Sequence, residues 1–283
     1  STAAVRVELA ARDGSAEPAV VAGGHAAGDT LIGIEGLRGS AYDDTLLGDG
    51  ADNGLRGGSG KDLLEGAAGN DTLNGEVAND TLLGGAGDDS LLGGQGDDLL
   101  LGGSGIDRLL GEAGNDTLVV EIGSRALGGT GDDSLVGTVG SILLGGAGAD
   151  TLVGGGAYYW DAAEGIRIDL AAGTASGGTA AGDVLIEVSL LRGSAHGDLL
   201  VGDARDNQLH GAEGEDSLDG GDGNDVLRGG AQADSLLGGA GADTLTGDGG
   251  DDLLDGGEGD DILIGGAGAD LIVGGDGFDI ATY

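Results

Sequence analysis

The sequence predicts an all-β solenoid of short, stacked rungs, on three observations. A nine-residue unit recurs about twenty times, a period that belongs to neither helix nor strand and so describes a larger coil. Glycine supplies 69 of the 283 residues, while cysteine and methionine are absent and proline, phenylalanine and tryptophan occur once each. The apolar residues are mostly Leu, Ala, Val and Ile, spread evenly along the chain. This suits a thin core of aliphatics and not the thick core of a large globular enzyme.

The unit is plain between Gly84 and Leu110, which reads GGAGDDSLL GGQGDDLLL GGSGIDRLL. Positions one to six are turn chemistry, because glycine permits positive φ and close backbone approach. Positions seven to nine supply one rung of a stacked sheet, with the eighth residue pointing inward. The expected ladder is Leu64, Leu73, Leu82, Leu91, Leu100, Leu109 and Leu118. Two units make an 18-residue coil, so each unit lies beneath the next but one at the ordinary strand spacing of about 4.8 Å.

Nonapeptides fill 39–153, including two shortened units, VEIGSRAL at 120–127 and GTVGSILL at 137–144, and fill 193–282 without a break. A longer repeat contains them: VRVEL at 5–9 matches IRIDL at 166–170, and GGHAAGDTLI at 23–32 matches GGTAAGDVLI at 177–186. The chain is therefore expected to hold two modules, 1–155 and 156–283, each a strand-like lead-in followed by a roll. Residues 10–22 add a longer loop with Pro18 to the first copy only. Tyr283 would continue in register into another Ser1, which suggests a segment of a longer series or a unit that stacks end to end.

Fifty-one acids face eleven bases, for a net charge of −40. So few bases among so many acids are not expected to displace the counterions of a nucleic acid, and no such partner is expected. No apolar run approaches the roughly 18 residues of a membrane span. Ser1 opens no cationic and apolar leader, so export would use another route or a missing segment. The regular leucines argue against disorder and leave a scaffold whose charge is cancelled by cations. Stacking places the aspartates in columns, where carboxylates about 5 Å apart repel by roughly 1–3 kcal/mol at effective dielectrics of 80 to 20. A divalent ion between rungs reverses the sign. Carboxylates and glycine-loop carbonyls are hard ligands that suit Ca²⁺, and the absence of Cys with only three His argues against zinc or copper.

These units resemble the RTX, or hemolysin-type, calcium-binding nonapeptide GGxGxDxUx, and the resemblance implies parallel β-rolls with Ca²⁺ held between alternate repeats by Asp and backbone carbonyls. Carried over, the sixth-position acids are Asp44, Asp62, Asp71, Asp80, Asp89, Asp98, Asp107, Asp116, Asp133 and Asp150 in the first module. In the second they are Asp198, Asp216, Asp225, Asp234, Asp243, Asp252, Asp261, Asp270 and Asp279. Pairs of such acids two repeats apart number fifteen; fifteen ions would bring the charge to −10. Asn53 and Asn207 replace the acid in the second repeat of each array, where sites should be weak or missing. Arg125 occupies the sixth position of VEIGSRAL and is expected to act as a fixed cation near Asp107; GTVGSILL has no acid.

The other conspicuous residues are expected to be structural. His25, His196 and His210 lack a nucleophile or metal spacing and suit surface or turn positions. Tyr158, Tyr159 and Trp160 suit aromatic packing at a roll end. Adjacent pairs such as Asp88–Asp89 imitate an acid–base dyad only by virtue of the repeat. No GxGxxG-like string follows a strand-to-helix transition, and no enzyme constellation is present. The expected role is a calcium-dependent structural module of a protein exported by type I secretion: an adhesin, stalk or filament, with head-to-tail self-association or further module copies as partners. The alternatives are the secretion and folding domain of an exported protease, lipase or polysaccharide epimerase, or a carbohydrate- or ice-binding face. A cell-surface or polysaccharide partner belongs to these expectations.

Overall fold

The structure, a computed structural model, describes residues 3–9 and 20–282. Most of the Pro18 loop thus lies outside the described residues. The chain is an all-β parallel solenoid in which the only helical pieces, among the described residues, are the 3-10 turns Gly24–Ala26 and Gly178–Ala180. Among the described residues no helix is long and apolar enough to cross a membrane. It divides into two compact units, Ser1–Leu144 and Gly145–Tyr283.

In the first unit two parallel sheets face each other. One runs from Arg6–Glu8 through Thr45–Leu47, Leu63–Ala68, Thr81–Ala86, Leu99–Ser104 and Thr117–Val119 to Ser134–Val136. The other runs from Gly36–Arg38 through Gly54–Ser59, Thr72–Val77, Ser90–Gln95 and Arg108–Ala113 to Arg125–Thr130. Successive rungs pair residue to residue at a separation of 18, as in Leu82↔Leu100 and Leu73↔Leu91. The eighth-position leucines Leu64, Leu82, Leu100 and Leu118 form one inward ladder and Leu55, Leu73, Leu91 and Leu109 the facing one, all fully buried. Each buried leucine contributes roughly 1.5–3 kcal/mol, so the core is one side chain thick yet uninterrupted.

The strands are longer than positions seven to nine. Leu99–Ser104 continues through both glycines into the next unit's third residue, pairing Gly103 with Gly85 and Ser104 with Ala86. Glycine is required there: Gly103 has φ 96°, and a Cβ on it would strike the Gly85 carbonyl of the rung below. Turn and strand are thus one hydrogen-bonded ladder.

The lead-in segments cap the rolls. Arg6–Glu8 pairs parallel with Thr45–Leu47 and antiparallel with Val20–Ala22. In the second unit Arg167–Asp169 repeats this against Leu199–Val201 and Thr174–Ser176. The antiparallel strand occupies the sheet edge, where an unpaired parallel strand would offer a template for association. Within that unit Val184–Ile186 pairs with Thr151–Val153, Leu190–Arg192 joins Gly156–Tyr158 to Gln208–Glu213, and the nonapeptide strands follow to Leu271–Asp276 and Ile280–Thr282.

Candidate metal centres

Each sixth-position aspartate closes its turn and enters a vertical column. In the first unit the backbone N–H of Asp44 donates to Asp62 Oδ1 (2.7 Å), Asp62 to Asp80 (2.8 Å), Asp80 to Asp98 (2.7 Å), Asp98 to Asp116 (2.8 Å) and Asp116 to Asp133 (2.8 Å). On the other edge Asn53 N–H donates to Asp71, Asp71 to Asp89 and Asp89 to Asp107. The second unit repeats the pattern through Asp198, Asp216, Asp234, Asp252 and Asp270 on one edge and Asn207, Asp225, Asp243, Asp261 and Asp279 on the other. Asp150 N–H donates to Asp183 Oδ1 (2.9 Å). The nineteen acids picked from the spacing therefore fall into these columns.

The second carboxylate oxygen decides the chemistry. Oδ2 of Asp62, Asp71, Asp80, Asp89, Asp98, Asp107 and Asp116 is buried with no hydrogen-bond donor, and the same holds for Asp216, Asp225, Asp234, Asp243, Asp252 and Asp261. An acceptor buried without a partner costs about 1–3 kcal/mol, and here the cost recurs at each rung. Each bare oxygen points at the first glycine of its own repeat. A Cβ on Gly66 would collide with Asp71 Oδ2 and with the Gly84 carbonyl of the next coil; Gly75 stands likewise between Asp80 and the Gly93 carbonyl. The cradle is thus lined by a carboxylate oxygen and a backbone carbonyl oxygen, two acceptors with no proton between them.

Burial pushes the Asp80 and Asp216 carboxyls up to about 7, opposed by the backbone N–H each accepts and reinforced by the neighbouring column carboxylates. Asp62, Asp89, Asp98, Asp225 and Asp234 are raised to about 6 for the same first cause. A metal-free column is therefore electrostatically strained at neutral pH.

A divalent cation fits this donor set. Among the described residues no three His, Cys, Asp or Glu side chains converge as a metal site. Carboxylates alone therefore cannot complete the six to eight oxygens that Ca²⁺ takes, and the glycine carbonyls beside them are the further oxygen donors the chain offers there. The column aspartates and the first-position glycine carbonyls would hold the ion. Its contribution when bound is charge: it converts repulsion between successive turns into attraction.

A family model described as the RTX calcium-binding nonapeptide repeat (4 copies) matches residues 29–64, 56–91, 65–100, 92–124, 127–157, 192–227, 219–254, 228–263 and 246–281. The chain belongs to this RTX family. A comparison with curated proteins finds no match. The RTX repeats are structural calcium-binding units, in keeping with the oxygen-lined columns.

The column ends carry residues that spacing alone passed over. Ser40 Oγ donates to Asp44 Oδ1 (3.1 Å), and its N–H reaches Oδ2. Ser194 does the same for Asp198, at 2.8 Å from Oγ and 2.6 Å from N–H. Val5 and Ile166 N–H groups cap the same two carboxylates from the lead-in strands. Tyr159, fully buried, donates its hydroxyl to Asp183 Oδ2 (3.0 Å). Tyr159 thus terminates a carboxylate column, a more specific task than the expected packing, while Tyr158 and Trp160 do pack edge to face at 5.1 Å. The signal was the Ser in GSAYDD and GSAHGD, the first repeat of each array, where the later repeats have Gly, Asp, Glu, Ala or Thr at the second position. Asp183 was legible as the acid before VLI.

Arg125 is a correction. Strand register pairs it with Arg108, a seventh-position residue, so Ser124 stands in the acid's place. Ser124 Oγ accepts from Asp107 N–H (2.8 Å) and donates to the Gly105 carbonyl (3.3 Å). The missing residue in VEIGSRAL falls in the turn and leaves the strand alignment intact, which counting from the unit's start misassigned. Ser141 follows in GTVGSILL, donating to the Thr138 carbonyl (2.7 Å). His210 lies in the strand Gln208–Glu213, partly exposed, which answers to the surface and not the turn half of the expectation.

The fifth positions form a second ladder running the other way. Asp52 Oδ1 accepts from Asn70 N–H, Asn70 from Asp88 N–H, and Asp88 from Ile106 N–H, each at 2.8 Å. The first acid of a DD pair therefore accepts from the following coil through its side chain, while the sixth-position carboxylate accepts from the preceding one.

Proposed function

We propose that this chain is a calcium-dependent structural module of an exported protein, unfolded where calcium is scarce and folded where it is millimolar, serving as an adhesive or stalk-like scaffold. The observation that carries the reading is the repeated buried Oδ2 with no donor, set against a glycine carbonyl in each coil. Such a column opposes folding until cations fill it, so binding free energy becomes folding free energy. About fifteen ions, held by the nineteen sixth-position aspartates, would leave a modest residual charge. Sites of about 10⁻⁴–10⁻³ M affinity, the range of extracellular modules, would fill outside the cell and stay empty within it. Type I export as an unfolded chain and a location at the cell surface or beyond accord with this switch and with the absence of cysteine. Duplicated rolls with no enzyme constellation favour a scaffold, with further module copies or a cell-surface ligand as partners.

The test is a calcium titration followed by circular dichroism and equilibrium dialysis. A cooperative gain of β-sheet signal, with many ions bound per chain, is expected. A chain that keeps its full spectrum in chelator, or binds only one or two ions, would overturn the reading.

A further inference from the structure

The ninth positions of one sheet in the second unit run Arg192, His210 and Arg228, paired rung to rung. In the first unit Arg38 and Arg56 stand in corresponding places. Two arginines in each unit, joined in the second by one of the chain's three histidines, thus occupy corresponding early rungs, in a chain of net charge −40. The facing sheet of the second unit has Val201, Asp219, Leu237 and Asp255 at the ninth positions. Among the ninth positions named, the bases fall on one sheet of the unit and the acids on the sheet facing it.

Two acids hold this surface in shape. Asp248 accepts from Arg228 through Nε and Nη2, and Glu76 accepts from Arg38 Nη2 (3.2 Å). Both acids have left-handed backbones, φ 74° and 78°, which cost side-chain-bearing residues about 1–3 kcal/mol. In each unit one of the side-chain-bearing residues with a left-handed backbone thus also holds an arginine. Arg192 and Arg56 are exposed and carry no ion pair among the described residues. Like charges on adjacent rungs oppose pairing. Between Arg192, His210 and Arg228 opens a cleft of about 400 Å³, lined also by Asp248, already paired with Arg228, and by Ala212, Gly229 and Gly230, with no Phe, Tyr or Trp in its lining.

The geometry points to a binding site for a hydrophilic oxyanion, a carboxylate or sulfate group carried on a ligand of sugar size, on the Arg192–His210–Arg228 column, with Arg38–Arg56 as its counterpart. The guanidinium fork matches carboxylate and sulfate oxygens two at a time. The glycine and alanine lining lets a flat polar ligand approach the strands, and the missing aromatic wall disfavours stacking ligands such as nucleobases. This site is independent of the metal columns, whose donors are all oxygens.

The test uses the full chain in calcium-saturated buffer, titrated calorimetrically with sodium glucuronate, sodium sulfate and glucose. Glucuronate is expected to bind in the millimolar range and the Arg56→Gln/Arg192→Gln double variant to bind at least about tenfold more weakly, near 1.4 kcal/mol. Arg205→Gln, whose arginine is already paired with Asp203 at 2.6 Å, should bind like the parent. Circular dichroism must match across the three proteins, which separates loss of the site from loss of the fold. Competition by sulfate supports the shared oxyanion chemistry, and indifference to sulfate narrows it to carboxylate. Equal binding of glucose, unchanged affinity in the double variant, or no anion binding at about 10 mM overturns the proposal.

Discussion

Asp183 and Asp80 are the same residue type at equivalent column positions, yet a phenol hydroxyl serves one Oδ2 and no donor among the described residues serves the other. Tyr159→Phe should therefore cost about 1–3 kcal/mol in thermal melts in calcium, the price of orphaning a buried acceptor. Asp80→Ala removes an oxygen from two successive cradles, so the midpoint of the calcium titration should shift upward and dialysis should count fewer ions. Ser124→Asp restores the acid above Asp107, and the ion count should rise by about one, the full pair the short repeat forgoes. In the core, Leu82→Ala should destabilise the calcium-loaded form by about 2–5 kcal/mol, since Leu82 is fully buried in a ladder one side chain thick.

At the scale of a column, pH and calcium act in opposite directions. The Asp80 and Asp216 carboxyls rise from 3.8 to about 7 in the folded metal-free chain. Between those values the folded column binds more protons than the unfolded chain, so stability falls as pH rises through that window. In chelator, β-sheet signal should be greatest below about pH 4 and should decline as the pH passes 6 to 7. With calcium present the sign inverts, because protons compete with the ion for the same oxygens; stability should hold at pH 7 and fall on acidification. Melting curves at several pH values, with and without chelator, read this directly. A metal-free chain that grows more stable from pH 4 to 7 would contradict the column electrostatics.

For the whole molecule, each rung contacts chiefly its neighbours in the stack, so stability sums over rung-to-rung interfaces as in other solenoids. Ion binding supplies the sign of each interface, and the transition with calcium should be steep because a filled cradle orders the coil that forms the next one. The lead-in strands supply the ends: Val5 and Ile166 cap the terminal carboxylates with N–H groups where no further turn stands. Chelation of the folded protein should therefore remove most of the β-sheet circular dichroism in one transition.

The nine-residue period, read alone, determined the all-β class, the 18-residue coil, the buried leucine ladders and the placement of nineteen aspartates in columns, because every rung repeats one local solution and stacking leaves no freedom of register. Local counting failed where the repeat is broken. The deletion in VEIGSRAL falls in the turn, so only strand pairing showed Ser124, and not Arg125, in the acid's place. Tertiary structure alone also decided which oxygens lack donors: Ser40 and Ser194 reach their carboxylates within one turn, but Tyr159, Val5 and Ile166 reach theirs only once the coils are stacked. The arginine surface escaped notice because its members lie 18 residues apart. The unit's chemistry is written within nine residues, and its exceptions are settled by contacts between coils.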